Sequence, residues 1–459
     1  MSNTVLAIDI GSTKICALIA EIRADGIQVL GHGVTRSQGI KKGAITNIEL
    51  ASKSIKSAIN DAKRIAGSNI TSATVSISNA YAKSLSSTGI VNIPHKDISI
   101  KEINRVMQTA LYNANIPNEY EVIHVLPYNF RVDDQDFIED PYGMNASRME
   151  VDVNIIMTQK SNLANLKKAV RSAGVEIDGI VLSGYASSIA VIKEDEKTHG
   201  VAVIDLGGQT SNLVIHVGNS IRYNDFLGVG SNHITNDLSM ALHTPQQVAE
   251  RIKIEYGNLS ETSSEIIELP IIGDEQNYNN VSLEIIHTVI FARVEETLML
   301  LAKSLEKSAL REQIGRGIIL TGGMSKLKGI RELAQSIFSG MAVRIAKPRE
   351  IEGLFEELKD PAFASVVGLL LYQAGEHTPY EINFEQKLLH SKEERGENLN
   401  DLKLQDQFKD EPSQDLPSSQ GEREERTDAE TIVFDDLPDP NSEKGNPVQK
   451  LLNWVKQLF

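Results

Sequence analysis

The chain has 459 residues, 41% of them apolar, which suits two to four domains with sizeable cores. Its formal net charge of −16 argues against duplex nucleic acid as a partner, since that binding needs clustered Lys and Arg. Cys16 is the only cysteine, so no intrachain disulfide forms and a reducing compartment fits; its apolar strand setting marks it as core.

The chain opens Met-Ser-Asn-Thr straight into a strand, without the basic and apolar regions of a secretion signal. No apolar run approaches the roughly 20 residues that span a bilayer, and the longest, Ser365 to Tyr372, contains Gly368. A cytoplasmic location is expected. Up to about residue 375, short Val/Ile-rich strands alternate with amphipathic helical stretches, the pattern of an α/β fold.

The first motif is Ala7-Ile8-Asp9-Ile10-Gly11-Ser12-Thr13-Lys14-Ile15, an apolar strand, an Asp, a glycine bend, a hydroxyl residue and a second apolar strand. About two hundred residues on, Val203-Ile204-Asp205-Leu206-Gly207-Gly208-Gln209-Thr210-Ser211 repeats it. Either turn alone says little. Together, facing each other, they would grip a nucleotide's phosphates from both sides. Gly11 lets backbone approach phosphate oxygens, and the N–H groups from Gly11 to Lys14 are free to point at an anion. Asp9 and Asp205 would hold Mg²⁺ through water, as carboxylates commonly do for this ion. Lys14 adds a cation, Gly207 and Gly208 permit close approach, and Thr210 supplies a hydroxyl.

Between and beyond the turns lie two further candidates. Glu250 and Lys253 share a helical face at i, i+3 and would reach a ribose; a surface ion pair is the plainer reading of the two alone. Gly317 to Lys326 reads as a strand ending in the Gly322-Gly323 bend, where a flat base passes close to backbone.

The composition changes after the last helical stretch. Ser391 to Asn446 carries 17 acidic and 7 basic residues, a net of −10, and few large apolar ones, so a disordered linker is expected. Thr431 to Leu437 is an apolar island within it, either a short docking motif or plain linker. Asn446-Pro447 then signals a helix start. Val448, Leu451, Leu452, Val455, Leu458 and Phe459 fall on one face, with Lys450 and Lys456 opposite and Trp454 at the boundary. So short a helix needs an apolar surface to lie on. Protein docking is one reading. An in-plane anchor on an anionic membrane is the other, and the linker's reach favours it.

This order of motifs resembles the actin/Hsp70/sugar-kinase ATPase superfamily: phosphate turn, connecting helix (Ala186 to Ala190), second phosphate turn, ribose helix, adenosine turn and last helix (Pro361 to Leu369). Ile123-His124-Val125-Leu126-Pro127-Tyr128, Asp140 to Met144 and Ser147 to Glu150 are similar to the inserted subdomain of the bacterial cell-division family FtsA, whose layout also includes the acidic linker and tail helix. The resemblance runs end to end. It implies a two-lobed actin-like fold with lobe 1 at 1–83 and 161–200, an inserted α+β subdomain at 84–160, lobe 2 at 201–375, a linker at 376–446 and the tail helix at 447–459. It implies ATP and Mg as ligands, and it adds Ser12, Thr13, Gly230, Met324 and Lys326 to the nucleotide set. It also implies actin-like polymerisation and contacts with other division proteins through the inserted subdomain. The tail helix would tether the protein to the inner face of the cytoplasmic membrane. The head would capture the C-terminal peptide of the tubulin-like protein FtsZ through the positions matching Arg293 and Glu296, otherwise an ordinary surface pair.

Three departures stand out. Gln209 replaces a third glycine of the second turn, Asn212 an acidic residue two beyond Thr210, and Ser183 the Glu that positions water in Hsp70-like ATPases. A Ser cannot act as a base near neutral pH, so slow or negligible hydrolysis is expected, with ATP as a structural ligand. The alternatives are an actin-like adaptor of a pilus-type machine and a soluble Hsp70-like ATPase or sugar kinase.

Overall fold

The computed structural model describes residues 3–390, apart from Asn219 and Thr262. The acidic linker from Ser391, the Thr431–Leu437 island and the tail helix with its membrane-facing residues lie outside the described residues.

Two five-stranded sheets repeat one plan. In the first, Asn3–Ile10 pairs antiparallel with Lys14–Arg23 and parallel with Ser72–Ile77, and Gly26–Arg36 and Glu176–Leu182 form the edges. In the second, Val201–Leu206 pairs antiparallel with Ser211–Val217 and parallel with Ile318–Thr321, flanked by Ser220–Leu227 and Val343–Ile345. The central strands are apolar runs because helices or other strands cover both faces. Leu6, Ala7, Ile8, Ala202 and Ile204 have no exposure. Each sheet has its own apolar core. Cys16 is inside the first, and burial pushes its thiol pKa far up, so it is an inert core residue.

Helix Ile48–Ala66 covers the first sheet. Asn47 caps its start by accepting from the Leu50 N–H, and Gly67 ends it in the left-handed region. Between the first-lobe elements an α+β unit is inserted, with a sheet ordered 82–92, 148–159, 120–132, 135–138. Helix Ile100–Asn113 lies on it, started by a Ser99–Glu102 capping box. It presses so close that a Cβ on Gly89 would sit 2.2 Å from the Val106 carbonyl oxygen. This unit has a third core, and it also reaches the second lobe: Asn154 Nδ2 donates to the Ile221 carbonyl at 3.1 Å, and Arg222 lies 4.0 Å from the Tyr128 ring centre.

The start of the linker, expected at residue 376, needs correction. Residues 376–390, grouped with the linker, are folded: Ile382 exchanges backbone hydrogen bonds with Val125 at 2.9 and 3.0 Å, and Tyr380 and Ile382 are buried in the inserted unit's core. The reason is local. Tyr380, Ile382 and Leu388 supply apolar side chains that pack on the inserted unit's core.

Candidate nucleotide site

The two turns are built alike. The Gly11 N–H donates to the Lys14 carbonyl at 3.1 Å, and the Gly207 N–H to the Thr210 carbonyl at 2.9 Å. A Cβ at Gly11 or Gly207 would stand 2.7 or 2.8 Å from that closing oxygen, so the glycine is needed for space in both. Asp9 pairs with Cys16 and Asp205 with Asn212, each one step before its bend. The turns touch: a Cβ on Gly208 would come within 2.3 Å of Thr13 Cγ2. Gly230 backs the second turn, with a Cβ there 2.6 Å from the Gly207 oxygen. Gly322 is constrained twice, by a φ of +84° and by Asp205 Oδ1, which a Cβ would meet at 2.4 Å.

Gln209 does not strain its turn, since its backbone is outside the left-handed region. Its Oε1 accepts from the Lys42 N–H at 2.8 Å and so ties one lobe to the other. Ser12 Oγ accepts from the Gly43 N–H at 2.9 Å.

Both carboxylates are buried. Ser76 Oγ donates to Asp9 Oδ1 at 2.8 Å. Burial raises the Asp9 pKa, against the lowering pull of Lys14 and Ser76. Burial first, then the charge of Asp9, pushes Asp205 up to about 6, while Lys14, Ser187 and Ser365 oppose the rise. Lys14 does not neutralise the pair closely: its Nζ donates to the Ala362 carbonyl and sits 4.5 Å from the Phe363 ring centre. Two facing hard oxygen donors with this surplus of negative charge suit Mg²⁺ with several of its waters retained.

A cleft of about 240 Å³ opens between the turns. Asp9, Gly11, Ser12, Thr13, Lys14, Asp205, Gly207, Gly208, Thr210, Gly322 and Gly323 line it. Gly230, Glu250, Lys253, Met324 and Lys326 stand back from it. Lys253 Nζ bonds Glu250 Oε2 at 2.7 Å, Thr235 Oγ1 at 3.0 Å and the Ser231 carbonyl at 3.3 Å, locking two helices together. Lys326 pairs with Asp360 at 2.6 Å, and Met324 is core. Sequence reasoning missed Gly43, Ser78 and Ser231 in the lining, and had Ser365 only as part of the last helix. No motif marks the first three, because each arrives from a separate part of the chain.

At the cleft floor Ser183 Oγ donates to Asn79 Oδ1 at 3.3 Å and accepts from Asn212 Nδ2 at 3.5 Å. Among the described residues, Asp9 and Asp205 are the only carboxylates lining the cleft.

Arg293 and Glu296 are elsewhere, on helix Leu283–Lys307. Arg293 clamps Asp237 at 2.5 and 3.1 Å and Glu296 at 2.5 Å. Burial would lower its pKa, but the two acids more than offset this and raise it; burial raises Glu296. Asp237, on helix Ser231–Leu242, was not visible in the sequence because 56 residues separate it from Arg293.

The sheet plan recurs in solved structures. The fold matches the PilM–PilN type IV pilus biogenesis complex with a TM-score of 0.59 at 17% identity, covering 81% of this chain and 98% of that one. It matches MreB5 of Spiroplasma citri bound to ADP with a TM-score of 0.51 at 14% identity, covering 81% and 96%. With two such lobes meeting at paired turns, the chain has an actin-like fold. Residues 202–368 match the family model for cell division protein FtsA, and residues 79–157 that for the SHS2 domain inserted in FtsA. The chain is 42% identical over 409 residues to the cell division protein FtsA of Helicobacter pylori (strain ATCC 700392 / 26695), covering 82% of this chain and 83% of the relative. Against that of Pseudomonas aeruginosa PAO1 the identity is 37% over 372 residues, covering 80% and 88%. Against that of Escherichia coli K12 it is 29%, covering 84% and 93%. The chain belongs to the FtsA family of cell division proteins.

Proposed function

We propose that this protein binds ATP with Mg²⁺, polymerises as an actin-like filament and tethers the FtsZ ring to the cytoplasmic face of the cytoplasmic membrane at the division site. The observation that carries the reading is the pair of buried, facing carboxylates, Asp9 and Asp205, set behind two glycine turns in a member of a cell-division family. Asp9 and Asp205 hold the cation, the turns hold the phosphates, and Gly322-Gly323 leaves room for the base. Bound Mg²⁺ supplies the positive charge that the two acids lack. ATP acts as a ligand that closes the lobes, with turnover slow because Ser183 takes the place of a base. Arg293, with Glu296 and Asp237, receives the FtsZ C-terminal peptide, and the inserted unit faces other division proteins.

Among the described residues no helix is long and apolar enough to cross a membrane. The membrane contact falls to the Val448–Phe459 face. One short amphipathic helix binds weakly and reversibly, and a filament that presents many of them gains about 10²–10⁴ in avidity. Flotation with anionic liposomes tests this, using the full chain and a version lacking Pro447 to Phe459, each with and without ATP. Tail-dependent flotation that ATP strengthens is expected, and Trp454→Glu abolishes it. Flotation that survives loss of the tail rules out the tail as the anchor. If neither version floats, the membrane-tether reading fails.

A further inference from the structure

Glu381 has no solvent exposure, and the ring of His124 lies against it, equally buried. The Leu182 N–H donates to His124 Nε2 at 3.1 Å, so the ring proton sits on Nδ1 and donates to Glu381 Oε1 at 2.7 Å. Tyr372 OH donates to the same oxygen at 2.7 Å and Tyr185 OH to Oε2 at 2.9 Å. Burial, then the charge of Glu381, raises both phenol pKa values, so the hydroxyls stay protonated as donors. The Thr378 N–H adds a bond to Tyr185 OH at 2.7 Å. One carboxylate thus joins strand Tyr120–Val132 of the inserted unit, connecting helix Ser183–Val191, last helix Ala364–Gln373 and the 376–390 segment.

The last helix begins at the nucleotide cleft. Just before it, the Ala362 carbonyl accepts from Lys14, and in its first turn Ser365 Oγ donates to Asp205 Oδ2 at 3.4 Å. Midway, a Cβ on Gly368 would stand 1.7 Å from the Ala186 carbonyl oxygen, so the last and connecting helices cross with no slack. Residues 366–371 are buried throughout. A close-packed helix of ten residues, roughly 15 Å long, transmits displacement without bending.

We propose that the last helix and the Glu381 knot form a rigid relay through which nucleotide in the cleft repositions the inserted unit and the 376–390 segment. This rests on the ATP-binding reading above. Lys14 would turn from the Ala362 carbonyl toward a phosphate held by the turns, and Asp205 would share its charge between a cation and the Ser365 hydroxyl. Lys14, Ala362, Ser365 and Asp205 all line the cleft, so nucleotide would compete for both contacts at the near end of the helix, the differential interaction that a population shift requires. The far end passes the movement on through Tyr372 to Glu381, and from there to His124.

Hydrogen exchange on the full chain, with and without Mg–ATP, tests the relay beside a titration of nucleotide affinity. In the wild type, ATP is expected to alter protection at the cleft and also across 120–132 and 376–390. In Glu381→Gln and Tyr372→Phe the remote change is lost while affinity stays within about threefold of wild type. Tyr372→Phe serves alone where Glu381→Gln does not fold. Binding with changes confined to the cleft, or remote changes that persist in the variants, overturns the relay and leaves the ATP reading standing. Absence of binding overturns both.

Discussion

Asp205→Asn should make the empty protein more stable while it destroys cation binding. Asp205 has a pKa of about 6 in the fold against an ordinary value of 3.8, chiefly because burial and the facing Asp9 disfavour its charge. Between those values the native state holds a proton that the unfolded chain has released. Native stability therefore falls as pH rises through that window, and the full penalty remains above it. At about 1.4 kcal/mol per tenfold change in proton affinity, the gap is worth about 3 kcal/mol at neutral pH. The amide keeps the shape without the charge. Urea unfolding at about pH 7.5, without Mg²⁺ or nucleotide, should show Asp205→Asn more stable by up to that amount, and at about pH 4 the two proteins should converge. With Mg–ATP the order reverses, since only the wild type gains binding energy. A variant that is neutral or weaker at about pH 7.5, with no convergence in acid, would refute the view that the two acids stand in uncompensated repulsion.

Three further outcomes are expected. Gly208→Val drives a side chain into Thr13 and holds the lobes apart; calorimetric titration should show ATP affinity lowered by about 1–3 kcal/mol, and unchanged affinity would mean the turns do not close on the ligand. Ser183→Glu supplies the absent base, so phosphate release should rise by about 10²-fold, whereas an unaltered rate would locate the barrier elsewhere. Arg293→Ala should weaken the labelled FtsZ C-terminal peptide by about 2 kcal/mol in fluorescence anisotropy, and an affinity that does not move would exclude this helix as the peptide site.

Much of the site was legible in the sequence because it is local. A strand, an Asp, a glycine bend and a hydroxyl make a turn from nine consecutive residues, and its repetition from Val203 disclosed the two-lobed plan before any fold was known. The inserted unit was likewise recognisable from runs such as Ile123 to Tyr128. Cys16 was readable as core from its apolar neighbours alone.

What tertiary structure decided were contacts between residues far apart in the chain, which periodicity does not encode. Lys253 turned inward to Thr235 and Ser231 rather than to the cleft, Gln209 found Lys42, and Arg293 found Asp237. Residues 376–390 share their tail position with the acidic stretch, yet a sparse apolar face was enough to fold them once the inserted sheet offered Val125 and a core to enter. Glu381 shows the division most plainly. In the sequence it is one of many acids near the end of the body; only packing strips its water and brings His124, Tyr185 and Tyr372 around it, and a buried carboxylate holds such donors because it has no solvent to turn to.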